Sequence, residues 1–282
     1  MNVLTFDVEE WFHILDNDST KSEKEWSKFE DRLEANMDKI FELLERKNQK
    51  ATFFVLGWVA RKYPQVLKKI DDMGFEIATH SDKHQLVYEQ SKDEFKNDLE
   101  RSIKSIEDVI DKKVRIYRAP GFSLKAENIW VFEELIEQGI EIDCSVFPAK
   151  RAHGGFESYG YSKPSIIKTG DISLKEFPMN FFEFNSKKIV FSGGGYFRLL
   201  PYWMIEKMML RTDYVMTYFH PHDFDKDKPT IAELSLLRKY KSKIGAGSAF
   251  EKLERLITDF DFIDINEANN SINWEDTKII KL

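Results

Sequence analysis

Short apolar runs alternate with charged amphipathic stretches along most of this chain, and that alternation constrains its fold more than any other feature. Strand–helix–strand repeats require parallel neighbours in one sheet. The predicted strands are Asn2–Val8, Ala51–Leu56, Glu76–Thr79, Val114–Arg118, Glu141–Ser145, Lys188–Ser192 and Tyr214–His220. Predicted helices cover Glu34–Glu45, Lys92–Ile110, Ala126–Gln138, Pro201–Leu210 and Phe250–Phe260. In the second of these, Leu99, Ile103, Ile106 and Ile110 recur at helical spacing. A chain of 282 residues suits one barrel-sized domain, and no repeat, low-complexity tract or linker divides it. The expected fold is therefore α/β, a distorted (β/α) barrel of about seven parallel strands formed by residues 1–282 as a single domain.

One region breaks the rhythm. From Arg151 to Pro201 glycines crowd together, including Gly154-Gly155 and Gly193-Gly194-Gly195. Such density suits turns and close backbone approach, so a loop or hairpin excursion near the active-site mouth is expected. No Lys-Ser/Thr follows the glycine triplet, which weakens a phosphate-binding reading.

Charge and composition exclude some functions. The formal charge is −7 and no basic block stands out, which argues against nucleic acid as a partner. A single cysteine, Cys144, excludes an intramolecular disulfide. No apolar run approaches the roughly 20 residues of a membrane helix. The opening MNVLTFDVEEWFH has no basic stretch leading into an apolar run, so no signal peptide is expected and the cytoplasm is the expected compartment. The oligomeric state is left open. The 23 Phe, 10 Tyr and 6 Trp suit an aromatic core, or in part a cleft where rings stack on sugars.

A polar, reactive residue closes most of the predicted strands. Asp7 and Glu9 end the first, His80 the third, Arg118 the fourth, Asp143 the fifth and His220 the last. In parallel barrels, catalytic groups gather at such strand ends. Alternation puts Asp7 and Glu9 on one face, where two neighbouring carboxylates need a cation or a shared proton between them. Taken alone, the same residues also read as a solvated acidic turn. His80 and His84 are four apart, so on a helical turn they would share a face and could hold one metal ion, though two surface histidines would look alike. A carboxylate added to them completes a facial triad with open positions for water and substrate. His220 follows a strong strand signal and precedes Pro221, well placed as a general acid, or else as a core histidine bonded to a carbonyl. Arg118 at its strand end is expected to pair with a carboxylate. His153 and His222 read as surface residues.

Taken together, the segments Thr5–Phe12, His80–His84, Tyr117–Ser123, Asp143–Pro148, Gly193–Pro201 and Tyr218–Asp225 resemble the polysaccharide deacetylases of carbohydrate esterase family four. The likeness is greatest to a subgroup encoded with exopolysaccharide and lipopolysaccharide biosynthesis genes. The resemblance implies a distorted barrel and a divalent metal, usually Zn2+. It implies His80 and His84 as metal ligands, Asp7 as general base, Arg118 as the residue orienting it, and His220 as general acid. Members of the family carry consecutive aspartates, the second a ligand, whereas here Val8 follows Asp7. Glu9, on the same face, is the expected substitute, with Glu10 and Asp7 itself as alternatives. Pro120, Gly121, Phe122, Asp143 and Tyr196 are expected to support the site or touch substrate. The implied reaction is removal of an acetyl group from an amino sugar in a saccharide or a lipid- or nucleotide-linked precursor. An amide hydrolase acting on a non-acetyl or cyclic amide, and a saccharide-binding protein without catalysis, are the rival readings.

Overall fold

The run Thr52-Phe53-Phe54-Val55 is buried at every position, as expected of a strand covered on both faces. In the computed structural model, which describes residues 1–282 apart from Asp16, Ala152 and Ser186, this strand pairs in parallel with Glu76–Thr79. Parallel pairing then continues through Ile116–Tyr117 to Ile142–Asp143 and on to Ile172–Glu176. These strands belong to the first of two compact units into which the chain divides, Thr52–Asn180 with Ile265–Leu282. Helices supply the crossovers: Gly57–Lys62 and Pro64–Asp72, then Lys92–Ile110, then Trp130–Glu137.

The long crossover helix shows why these residues form that element. Ser91 accepts from the amide of Glu94, and the Glu94 carboxylate reaches back to the Ser91 amide, satisfying both orphan donors at the helix start. Phe95, Leu99, Ile103 and Ile106 then line its buried face. The helix stops where Asp111 adopts left-handed backbone, with φ of 52°.

The glycine-rich excursion does contain hairpins. Ser165–Thr169 runs antiparallel to Ile172–Glu176, and the C-terminal strand Ile279–Lys281, absent from the sequence reading, joins it in parallel. The fold is thus α/β with a mostly parallel sheet. No sheet among the described residues closes on itself, so the mostly parallel sheet stands without a closed barrel of about seven strands being shown.

The second unit comprises Met1–Ala51 and Phe181–Asp264. Its opening strand Asn2–Val3 pairs in parallel with Val215–Met216, and a parallel bridge joins Phe6 to Phe219 just beyond. Phe6, Phe197 and Phe224 all pack against Phe219, with ring centroids 4.8 to 6.0 Å from it, so part of the phenylalanine content is core. Helices Leu33–Lys47, Tyr202–Met209, Leu236–Lys243 and Ala246–Asp259 complete the unit. The predicted parallel strand Lys188–Ser192 is a correction here. Lys187–Ile189 instead forms a short antiparallel hairpin with Phe182–Phe184, because Asn185, with φ of 48°, turns the chain sharply between them.

One glycine fixes a close approach. A Cβ at Gly57 would lie 2.3 Å from Asp82 Oδ1 and 2.8 Å from Ser102 Cα, and the latter is backbone that cannot swing aside. Gly57→Ala should therefore destabilise the protein by about 1–3 kcal/mol, the usual cost of overpacking. Denaturant unfolding checks this, and an unchanged midpoint would mean that the helix shifts at no cost.

Candidate active site

In the first unit, His80 leaves the strand Glu76–Thr79 with its amide bonded to the Val55 carbonyl at 2.9 Å. Its Nδ1 lies 2.8 Å from the Arg118 carbonyl oxygen, which can only accept. The proton therefore sits on Nδ1, and Nε2 carries the lone pair, the tautomer a metal ligand needs. His84 lies close by, its ring centroid 5.3 Å from that of His80. The route to this pairing differs from the expected helical turn. Residues 80–86 form a loop, and Ser81 and His84 both adopt positive φ, 73° and 56°. Two strained residues fold the loop back on itself and bring the rings together.

The loop is clamped from several directions. Gly57 and Trp58 amides donate to the carbonyls of Ser81 and Asp82 at 2.9 and 3.1 Å. Asp82 itself is buried and paired with Arg61 at 2.5 Å and Arg101 at 3.3 Å. Asp98 accepts from the Asp82 and Lys83 amides at 2.8 and 3.3 Å. Burial pushes the Asp98 carboxyl up to about 6, against the pull of those two amides. Asp98 and its role were not singled out from the sequence, where it reads as one more polar residue on a helix.

Arg118 is fully buried, with its guanidinium 3.9 Å above the Phe54 ring and 5.5 Å from that of Phe122. Pro120, Gly121 and Phe122 form a short 3-10 turn directly after it, in which Gly121 and Phe122 take positive φ. Asp143 is buried opposite Glu176 on the neighbouring strand. Burial pushes both carboxyls up, and a hydrogen bond links them. A proton shared between them removes the repulsion. Ser145 Oγ also donates to Asp143 at 2.5 Å and accepts the Ala119 amide at 2.8 Å, tying this pair to the segment after Arg118. Asp143 thus ties its strand to the segment after Arg118 within its own unit, and Glu176 is a partner the sequence reading missed.

In the second unit, Asp7 and Glu9 are both buried and extend beside the strand that ends at His220, with the Asp7 amide donating to the Phe219 carbonyl at 2.7 Å. His220 Nε2 lies 3.8 Å from Asp7 Oδ2 and 3.6 Å from Glu9 Oε1. Its Nδ1 faces Asp223 Oδ2 at 3.0 Å, and the same oxygen accepts the His220 amide. Arg198 holds the other Asp223 oxygen at 3.1 Å. Burial disfavours the imidazolium, but Asp223, then Glu9 and Asp7, outweigh it and raise His220 to about 9. Burial likewise opposes ionisation of Asp223, yet His220 and Arg198 hold it well below the ordinary carboxylate range. Neither Asp223 nor Arg198 was given a role from the sequence. An acid three residues after a strand-ending His-Pro was the available signal, since a carboxylate at that spacing reaches back to cap the turn.

Three further placements matter. Glu10 accepts the amides of Arg32 and Leu33 at 2.8 and 2.9 Å, capping the helix Leu33–Lys47, so its carboxylate is already committed. His222 stacks on His220 with centroids 5.1 Å apart, and burial drives its pKa well below the ordinary value. It is therefore not the plain surface histidine expected. Ligand atoms of Glu9, His220 and His222 lie within 4.8 Å of one another. Tyr196 stands on the helix Gly194–Leu199 with its ring exposed.

Residues 17–136 match the family model described as polysaccharide deacetylase. Residues 144–270 match a model described as a domain of unknown function, DUF3473. His80, His84 and Arg118 fall in the deacetylase match and His220 in the second, while Asp7 and Glu9 precede both. A peptidoglycan-N-acetylglucosamine deacetylase of Bacillus cereus is 30% identical over 97 residues, covering 34% of this chain and 35% of that one. A second protein of the same description and species is 28% identical over 138 residues, covering 48% and 63%. The chain thus spans less than two thirds of the length of these curated relatives. A crystal structure provisionally described as a polysaccharide deacetylase, from Mycobacterium smegmatis, superimposes with a TM-score of 0.67 at 18% identity, covering 100% of this chain and 92% of that one. That likeness concerns the fold.

The Asp98 clamp generates a prediction. Its carboxyl keeps a proton up to about 6 when folded, against 3.8 for an ordinary aspartate. The folded state then binds more protons between those values, so this group lowers stability as pH rises through that window. Asp98→Asn should remove that slope, read as a smaller change in melting temperature across the same window than in the parent. An identical slope would mean that the two loop amides keep Asp98 ionised throughout.

Proposed function

We propose that this chain hydrolyses the acetamido group of an amino sugar, using a divalent metal, with His220 as the proton donor. The observation that carries this reading is the placement of His220, whose Nε2 faces the buried Asp7 and Glu9 at 3.8 and 3.6 Å while Asp223 holds its Nδ1 at 3.0 Å. A histidine kept protonated at neutral pH is what an amide C–N bond requires, because the amine leaves poorly without a proton. Asp7 takes the proton from the attacking water as the new C–O bond forms. His220 Nε2 then gives its proton to the amine nitrogen as the C–N bond breaks, releasing acetate and the free amino sugar. Arg118 orients Asp7, a role taken from the family resemblance.

His80, His84 and Glu9 are the proposed metal ligands, with Zn2+ the favoured ion. The tautomer of His80 fits that duty, since its Nδ1 proton is fixed on a carbonyl. A bound divalent cation would supply a more acidic water and polarise the acyl carbonyl. The cluster of Glu9, His220 and His222 offers a second arrangement. It is disfavoured because Asp223 already engages His220 Nδ1 and the proposed reaction needs the proton on Nε2. The substrate is proposed to be a saccharide or a surface-polysaccharide precursor carried on lipid or nucleotide, in keeping with the subgroup resemblance. Pro120, Gly121, Phe122 and Tyr196 are proposed to contact or support it. Residues 1–282 are taken as one catalytic domain.

His80→Ala should lose bound metal by elemental analysis while His222→Ala keeps it, and the reverse result would select the second arrangement. Asp7→Asn should retain metal while acetate release from acetylated saccharides falls by about 10²–10⁴-fold. Normal turnover in that variant would overturn the base assignment, and release of another acid would overturn the acetyl one. Activity should fall as His220 loses its proton, with a limb at or below pH 9 because a nearby cation lowers the imidazolium pKa. Asp223→Asn removes the charge that stabilises the imidazolium, so the alkaline limb of kcat should move to lower pH. An unmoved limb would show that another group donates.

A further inference from the structure

Among the described residues, nine of the ten large apolar side chains that stand exposed belong to the unit Met1–Ala51 with Phe181–Asp264. Three of them share one short helix, Leu236–Lys243: Leu236 is 84% exposed, Leu237 62% and Tyr240 63%. No residue of this helix is buried. A helix normally earns its stability by burying one face, so one that buries nothing presents that face to something else.

The sequence of the helix, LLRKYKSK, has four basic residues and no acidic one, in a chain whose formal charge is −7. At about 100° per residue, its outward face reads Lys243, Leu236, Tyr240, Leu237, Lys241 in order around the surface. Two lysines thus flank a strip of two leucines and a tyrosine. Lysines on such edges can lay their methylene stems along an apolar layer and keep their charge in the polar zone above it. The inner face is anchored. Arg238 donates to the Leu15 carbonyl and Lys239 to that of Ala232, at 2.9 and 2.8 Å. Arg198, from the neighbouring helix, donates to the carbonyls of Lys241, Ser242 and Ile244 at the C-terminal end. A Cβ at Gly245 would strike the Arg198 carbonyl at 2.1 Å, so the chain closes tightly against that anchor. The outward face is therefore held in a fixed orientation.

We propose that the helix Leu236–Lys243 docks the protein on an anionic lipid surface, its leucines and Tyr240 entering the headgroup boundary and Lys241 and Lys243 meeting lipid phosphates. Charge selects this occupant. A neutral apolar partner would leave the flanking lysines without purpose, and a second copy of this acidic chain would bring two like-charged helices face to face. None of these five side chains takes part in the proposed chemistry, so docking can be tested separately from catalysis.

The test is co-sedimentation of the full chain with phosphatidylcholine vesicles, with and without phosphatidylglycerol. Binding is expected only with the anionic lipid, and it should weaken with added salt. Lys241→Gln with Lys243→Gln should weaken it on the order of thirtyfold. Leu236→Ser with Leu237→Ser should weaken it as well, without changing the melting temperature, because both side chains are already exposed. Absence of binding to anionic vesicles at low salt would overturn the proposal, as would equal binding to both lipids or binding indifferent to the two double variants. A dimer in solution that Leu236→Ser with Leu237→Ser disperses, in a protein that ignores vesicles, would assign the face to a second copy instead.

Discussion

A short ladder of backbone bonds, in which the Thr217 amide donates to the Val3 carbonyl, the Phe219 amide to that of Thr5 and the Asp7 amide to that of Phe219, places the acids and the histidine of the unit that holds both chain segments. It fixes the register between the opening strand and the strand ending at His220. Side chains alternate along a strand, so a slip of one residue would turn Asp7 and Glu9 away from the histidine and put Phe6 and Val8 in their place. Both carboxylates are buried, and burial makes their position costly to change. The Phe6, Phe219 and Phe224 cluster on the other face of the strands resists the same slip, because it would have to enter a polar site.

Around that register, polar groups are linked in series. Arg198 holds Asp223, Asp223 holds both the amide and the ring of His220, and the ring faces two more carboxylates. Each link fixes the proton on the next. In the other unit the same logic appears in a different form. The Arg118 carbonyl fixes the His80 tautomer while the Arg118 guanidinium lies over Phe54, so one residue serves the imidazole through its backbone and packs through its side chain.

Much of this was legible in the sequence because it depends on periodicity. The buried strand Thr52–Val55, the crossover helix Lys92–Ile110 and the strand-ending Asp7, His80, Arg118 and His220 all follow from alternation or from 3.6-residue spacing. What failed to show was whatever depends on tertiary partners. The pairing of His80 with His84 arises from two positive-φ residues in a loop rather than from a helix, and φ is not encoded in spacing. Asp223, Arg198, Asp98 and Glu176 look like ordinary surface charges until a neighbour from a distant segment buries them. Lys188–Ser192 was misread because an apolar run looks the same in a hairpin as in a parallel sheet. Glu10 stayed an alternative to Glu9 until the start of the helix Leu33–Lys47 was found to need its carboxylate.

The discontinuous make-up of the units carries a consequence for biosynthesis. Asn2–Val3 leaves the ribosome well before its partner Val215–Met216, which follows more than two hundred residues later. At ordinary translation speeds of about 5–20 residues per second, that delay is on the order of ten seconds or more. The crossover ladder from Thr52 to Asp143 has all its neighbours close in sequence and can assemble during the wait. The acid-and-histidine half of the chemistry is thus the last to mature. Under the proposed chemistry, a nascent chain stalled before His220 would be structured and inert.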